Sequence, residues 1–246
     1  MLHRDEVPRA QASAAIPKII DLVQSDIDSV RDGARDCLIA MKEDAAEAVP
    51  VLVKMLEEDR RVVGEMYTLQ HIGSPAVPHL MSALESSDAM VRRRACRVLG
   101  RIDSDKKFIA ERISELLVDD DLTVRKRAAQ TLRYMPIESS KVLSALIAAI
   151  ENPRKLSRSD LIGALRHQGP AAVPALRQLL ASEQQRDRAA AVGSLTALGP
   201  SAAPCLPELM TLLSDSDKYH QRQLVLCLKE IGPAAEPSIP MLIKLL

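Results

Sequence analysis

The 246-residue chain has no tryptophan, one phenylalanine and three tyrosines, so aliphatic residues carry its apolar content. Strands favour aromatic and β-branched side chains, and this shortage argues against an all-β fold. Net charge is absent as well: 33 basic residues balance 33 acidic ones, which excludes a uniformly charged nucleic-acid or membrane binder and leaves local patches as the only electrostatic signal. The N-terminus, Met1-Leu2-His3-Arg4-Asp5-Glu6, lacks an apolar signal core. The longest uncharged stretch runs from Ala189 to Pro207, but Gly193, Gly199, Pro200, Pro204 and Pro207 interrupt it too often for one membrane helix. The four cysteines, at 37, 96, 205 and 227, show no CxxC spacing, so neither a disulfide framework nor a zinc site is expected. Cys96 and Cys227 fall within apolar helical patterns, as reduced thiols acting as small hydrophobes. A reducing cytoplasm is the expected compartment.

What the chain does have is a repeat. An apolar residue followed by proline, or by a stand-in, recurs at Ile16-Pro17, Val49-Pro50, Val77-Pro78, Ile109-Ala110, Val142-Leu143, Val173-Pro174, Leu206-Pro207 and Ile239-Pro240, in steps of 33, 28, 32, 33, 31, 33 and 33. A period of this size marks a solenoid. Proline suits the first turn of a helix, where its missing amide would have no partner. Two and six residues later come apolar positions: Ile19, Leu52, Leu80, Ala145, Leu176, Leu209 and Leu242, with Arg112 the exception, then Val23, Leu56, Leu84, Leu116, Ala149, Leu180, Leu213 and Leu246.

A polar turn and a second helix follow. Its best copies are Val91-Arg92-Arg93-Arg94-Ala95 leading to Leu99, and Val124-Arg125-Lys126-Arg127-Ala128 leading to Leu132. Gly73, Gly169, Gly199 and Gly232 close second helices where a left-handed residue is wanted, and proline directly follows three of them. One helix pair cannot bury its apolar face alone, whereas stacked pairs share a continuous core.

The pattern VPxLxxLL…D…VRxxAxxxLxxIGPAA resembles HEAT repeats, particularly the short bacterial kind seen in phycobilisome-lyase-like proteins. The resemblance covers nearly the whole chain and implies an all-α, right-handed α-solenoid of antiparallel helix pairs, HEAT/armadillo-like. About seven pairs plus a terminal helix occupy residues 15–246, and residues 1–14 form an N-terminal tail or cap. The second copy departs furthest: its turn around Glu57–Asp59 is short and its Val-Arg pair is out of register, so a local bend or break is expected there. The resemblance also implies an internal ladder, with Arg31, Arg92, Arg125, Arg158 and Arg188 bonding to turns between helices.

Catalysis finds no support. There is no GxSxG elbow, phosphate loop or HExxH, and none of the histidines at 3, 71, 79, 167 and 220 is followed by glutamate, as iron-binding HEAT-like hydroxylases would require. HEAT-like DNA glycosylases handle bases on aromatic groups, which are scarce here. No catalytic residue, cofactor or metal is expected.

The informative surface is on the middle second helices. Residues 91–102 hold five arginines and no acid, and residues 124–135 hold three arginines and a lysine. With Val91, Ala95 and Leu99 inward, Arg94, Arg97 and Arg101 share the other face. One repeat back, that column contains Tyr67 and His71; one repeat forward, Arg127, Gln130 and Tyr134; the next gives His167. In HEAT solenoids second helices line the concave surface, so the resemblance implies a basic groove with Tyr and His edges. A solvated arginine face is the plain alternative, since arginine is a good helix former. Tyrosine and arginine dominate interface energetics, which favours a non-catalytic scaffold holding an acidic peptide or protein surface. Nucleic-acid backbone binding is the second reading. A structural solenoid segment is the third: Pro240 to Leu246 is a first helix without a second, leaving Leu242, Leu245 and Leu246 poorly covered and end-to-end self-association open.

Overall fold

The computed structural model describes residues 9–58, 62–135, 137–215 and 218–244. Leu245, Leu246 and residues 1–8 of the expected tail lie outside them, as does Asp59. The described residues contain fifteen α-helices and no strand, in the order α1 (Arg9–Val23), α2 (Asp28–Met41), α3 (Val49–Lys54), α4 (Val63–Ile72), α5 (Val77–Ala83), α6 (Ala89–Leu99), α7 (Lys106–Glu115), α8 (Leu122–Arg133), α9 (Ser140–Glu151), α10 (Arg158–Leu165), α11 (Val173–Leu180), α12 (Gln185–Leu198), α13 (Leu206–Asp215), α14 (Lys218–Ile231) and α15 (Ile239–Lys244). Odd-numbered helices are the first members of the pairs and even-numbered ones the second. The fold is an α-solenoid of helix pairs. The first helix begins at Arg9, inside the segment that the repeat pattern leaves as tail or cap.

The chain forms two compact units, residues 1–109 and 110–246. In the first, α2 packs on α1 and α4, and α4 on α6. In the second, α10 packs on α8 and α12, and α12 on α14. Each core is aliphatic: Leu52, Leu69, Leu80 and Leu99 are fully buried in one unit, Leu161, Leu176, Leu195 and Leu209 in the other. The uncharged stretch after Ala189 folds as α12, a 3-10 turn over Gly199–Cys205 and α13, so its apolar residues serve the core of two helices.

The joints follow the sequence punctuation. Gly73, Gly169, Gly199 and Gly232 all have positive φ, at 79°, 60°, 55° and 78°. These values are open to glycine and costly to residues with a Cβ. The corresponding joint after α2 is made by Lys42, at φ 52° and ψ −127°. Two second helices, α6 and α8, start on aspartate caps: Asp88 accepts from the amide of Met90 at 2.7 Å, and Asp121 from those of Thr123 and Val124 at 2.7 and 3.1 Å.

Two first helices correct the expected register. Along α7 and the 3-10 turn after it the large buried side chains are Ile109, Ile113 and Leu117, with Ala110 and Ser114 buried beside them, while Arg112 and Leu116 are half-buried. In α9 they are Val142, Leu146 and Ile150, with Ala145 half-buried although Ala149 is buried. The repeat boundary therefore shifts by one residue, from Ala110 to Glu111 and from Leu143 to Ser144. These are the two repeats whose boundary carries no proline, and the i, i+4, i+8 apolar row sets the helix rotation there instead.

Candidate functional site

The arginine ladder is structural. Arg92 Nη1 donates to the carbonyls of Ser86 and Ser87 at 2.8 and 3.1 Å. Arg188 does the same to Ser182 and Glu183 at 2.7 and 3.0 Å, and Arg31 donates to Ser25 at 2.6 Å. Arg125, only 8% exposed, bonds to Asp119 and Asp120 at 2.6 and 2.9 Å, and its other terminal nitrogen crosses to the Arg154 carbonyl at 2.9 Å. Arg158 departs from the pattern: it donates to the carbonyl of Ile150 and, through Nε, to buried Asp187 at 2.6 Å. These guanidiniums satisfy carbonyls that helix ends and turns leave unpaired.

Arg94 belongs with them. Its Nη1 reaches back one repeat to the carbonyls of Leu56 and Glu58, at 2.7 and 2.8 Å. Arg94 thus helps close the turn of repeat two from the next repeat. The structure therefore gives this residue of the expected binding column an internal role.

The remaining unit-one residues come together. Tyr67 on α4 is 51% exposed, and the ring of His71, one turn on, lies 4.1 Å from it, with Nδ1–H donating to the Tyr67 carbonyl at 2.8 Å. Arg97 on α6 and Arg101 just beyond it face Tyr67 across a cleft also lined by Val63, Met66, Gln70 and Val98. The cleft holds about 50 Å³, enough for one small apolar side chain. Val63, Met66 and Gln70 were not legible as site residues, because α4 carries no charge cluster and its apolar residues read as core.

Unit two contains a second group. Arg127 on α8 is half-buried and Gln130 is exposed. Tyr134, at the end of α8, is 71% exposed, and the Arg133 guanidinium stands 5.9 Å from its ring centroid, within cation–π range. Gly163 leaves Arg133 the space to reach Asp160. His167 follows α10, where its Nε2 accepts from Arg166 Nε at 3.0 Å. Burial, then the neighbouring Arg166 charge, lowers the His167 pKa against an opposing bond from the Arg133 backbone, and this favours the neutral ring. Arg133 and Arg166 lie off the expected column; the charge count of residues 124–135 held the only hint of the first.

Three of the four cysteines serve packing. Cys96, Cys205 and Cys227 are buried and Cys37 is exposed, all four as free thiols. Burial, with Glu208 nearby, pushes the Cys205 thiol up to about 11, away from thiolate reactivity. Among the described residues, no three His, Cys, Asp or Glu side chains converge to hold a metal ion.

A family model described as HEAT repeats matches residues 77–166 and 173–246. None of the curated proteins matches the sequence. Among solved structures, the chain is similar to an engineered protein at 20% identity and a TM-score of 0.52, covering 91% of this chain and 72% of that one. It is also similar to Kap95p, in the structure where Kap95p binding induces the switch loops of RanGDP to adopt the GTP-bound conformation. That match has 14% identity and a TM-score of 0.61, and covers 98% of this chain and 40% of Kap95p. A Kap121p mutant matches at 14% identity and a TM-score of 0.62, over 96% of this chain and 31% of that protein. At these identities the likeness shows the fold alone. HEAT-repeat solenoids are generally non-catalytic scaffolds that commonly mediate protein interactions, and with its family model matched over well beyond half its length, this chain belongs to the HEAT-repeat family.

Proposed function

We propose that the protein is a non-catalytic interaction scaffold whose second helices hold an acidic peptide or protein surface. The observation that carries this reading is the cleft of Tyr67, Arg97 and Arg101, where two guanidiniums frame a small apolar hollow. An acidic residue beside a small aliphatic one matches both features. The carboxylate pairs with a guanidinium while the aliphatic group fills the space between Val63, Met66 and Val98. Tyr134, Gln130, Arg127 and His167 supply further contacts in the second unit. Arg94 is excluded from the contact set, because turn closure engages its Nη1. Kap95p, similar in fold, acts on a protein partner, which agrees with a protein ligand here. The buried thiols support a reducing compartment, the cytoplasm, as the place of action.

Fluorescence anisotropy with peptides pairing aspartate or glutamate with valine or alanine tests the reading, alongside a single-stranded DNA of equal charge. The expected result is peptide binding that weakens as salt rises and is lost in a folded Arg97→Glu/Arg101→Glu variant. DNA binding stronger than any peptide, lost in the same variant, would transfer the site to nucleic-acid backbone. Peptide binding unchanged by the double reversal would refute the cleft.

A further inference from the structure

Arg133 and Arg166 hold the same place in successive repeats, at the ends of α8 and α10, and their guanidiniums are used differently. Arg133 is committed within the fold: Nη1 donates to Asp160, and the group stands over the Tyr134 ring. Arg166 gives only its Nε to the protein, to Nε2 of the adjacent His167 at 3.0 Å. Among the described residues the Nη1 and Nη2 of Arg166 meet no acceptor, and the side chain is half-buried. Asp160 is the one acid of α10, and Arg133 already holds it, so α10 offers Arg166 no counter-ion.

His167 fixes this arrangement. An arginine Nε always carries its proton, so Nε2 is the bare acceptor and the imidazole proton sits on Nδ1. The same ring bonds to the Arg133 backbone one repeat back, which ties its plane to α8. Burial, then the Arg166 charge, keeps the ring neutral, as an acceptor has to be. With Nε engaged, the open side of the guanidinium is its Nη1–Nη2 edge, whose two N–H groups match the two oxygens of one carboxylate. One unpaired cation beside a neutral imidazole fits a single negative charge.

Building on the acidic-ligand reading above, we infer that Arg166 is the carboxylate-holding residue of unit two and that His167 is its positioning residue. The group held is one aspartate or glutamate side chain of the protein partner, met end-on by Nη1 and Nη2. Tyr134, 71% exposed, stands one repeat back at the place His167 has in its own repeat. His167 contributes to this surface through Arg166.

NMR of the whole chain, together with fluorescence anisotropy on the same acidic peptides, tests the assignment. In the free protein the imidazole nitrogen shifts of His167 are expected to place the proton on Nδ1, and the Arg166 Nε–H resonance to move as peptide is added. Arg166→Ala is expected to weaken peptide binding by about fivefold with unchanged helical circular dichroism. His167→Leu should weaken it as much, whereas His167→Gln, whose amide oxygen still accepts from Nε, should bind nearly as wild type does. Combining Arg166→Ala with His167→Leu should lose no more than either change alone, since one residue acts through the other. Unchanged affinity in Arg166→Ala, while Arg97→Glu/Arg101→Glu abolishes binding, would overturn this inference and leave the unit-one cleft standing. A proton on Nε2 of His167, or additive losses in the double variant, would overturn the positioning role. A wild type that binds none of the peptides would refute both the cleft and this site.

Discussion

Repeats two and three solve one problem differently. In repeat three, Arg92 caps the carbonyls of Ser86 and Ser87 at the end of its own first helix. In repeat two the carbonyls of Leu56 and Glu58 are capped from the next repeat by Arg94, two residues after Arg92 on α6. There the donor comes from the neighbouring repeat. A basic residue in the repeated second-helix column can therefore be a turn-closing donor and not a ligand contact.

The comparison can be pressed hardest at the most enclosed ladder position. Arg125→Ala leaves the carbonyls of Asp119, Asp120 and Arg154 without their donor and should cost about 3 kcal/mol, read from urea unfolding. Arg94→Ala, at a half-buried site with two such bonds, should cost about 1–2 kcal/mol. Arg97→Ala, which lines the cleft, should remain within about 0.5 kcal/mol of wild type. Equal losses at 94 and 97 would erase the division between a turn-closing and a surface arginine.

The joints allow a second contrast. Lys42 occupies backbone space that glycine holds at four other joints, so Lys42→Gly should stabilise by about 1 kcal/mol and raise the melting temperature. Gly73→Ala, where a Cβ meets no neighbour within 4 Å, should lose about 1 kcal/mol from backbone strain alone.

The smallest effect concerns acid. The pKa of His167 is lower in the folded chain than in the unfolded one, so the unfolded state binds more protons between those two values. Stability falls as pH drops through that window and recovers above the unfolded value. His167→Gln should flatten this part of the stability profile between mildly acidic and neutral pH, as followed by thermal melts.

Much of the architecture was legible because proline and glycine punctuate it. Pro50, Pro78, Pro174, Pro207 and Pro240 mark helix starts, and each of the four expected glycines has the positive φ assigned to it. Where proline is missing, at Glu111 and Ser144, alignment by the preceding apolar residue slipped by one, since there side-chain burial alone sets the helix rotation. The ladder was legible as spacing. Arg94's partners were not, because they lie 38 and 36 residues away and depend on where a chain reversal leaves its carbonyls. Arg97 and Arg101 were legible as charge, but the hollow between them is made by residues of α4 that carry none.

The ladder in unit two does more than close turns. Arg125 holds a carbonyl of the next turn, Arg158 holds Asp187 of repeat six, Ser194 Oγ returns at 3.1 Å to the Ile162 carbonyl of repeat five, and Arg177 reaches Glu208 of repeat seven. Each link ties a repeat to its neighbour, so these repeats cannot fray one at a time without breaking a charge-assisted or buried bond. Amide protons from α8 to α13 are accordingly expected to exchange together, as one cooperative block rather than as a gradient along the array.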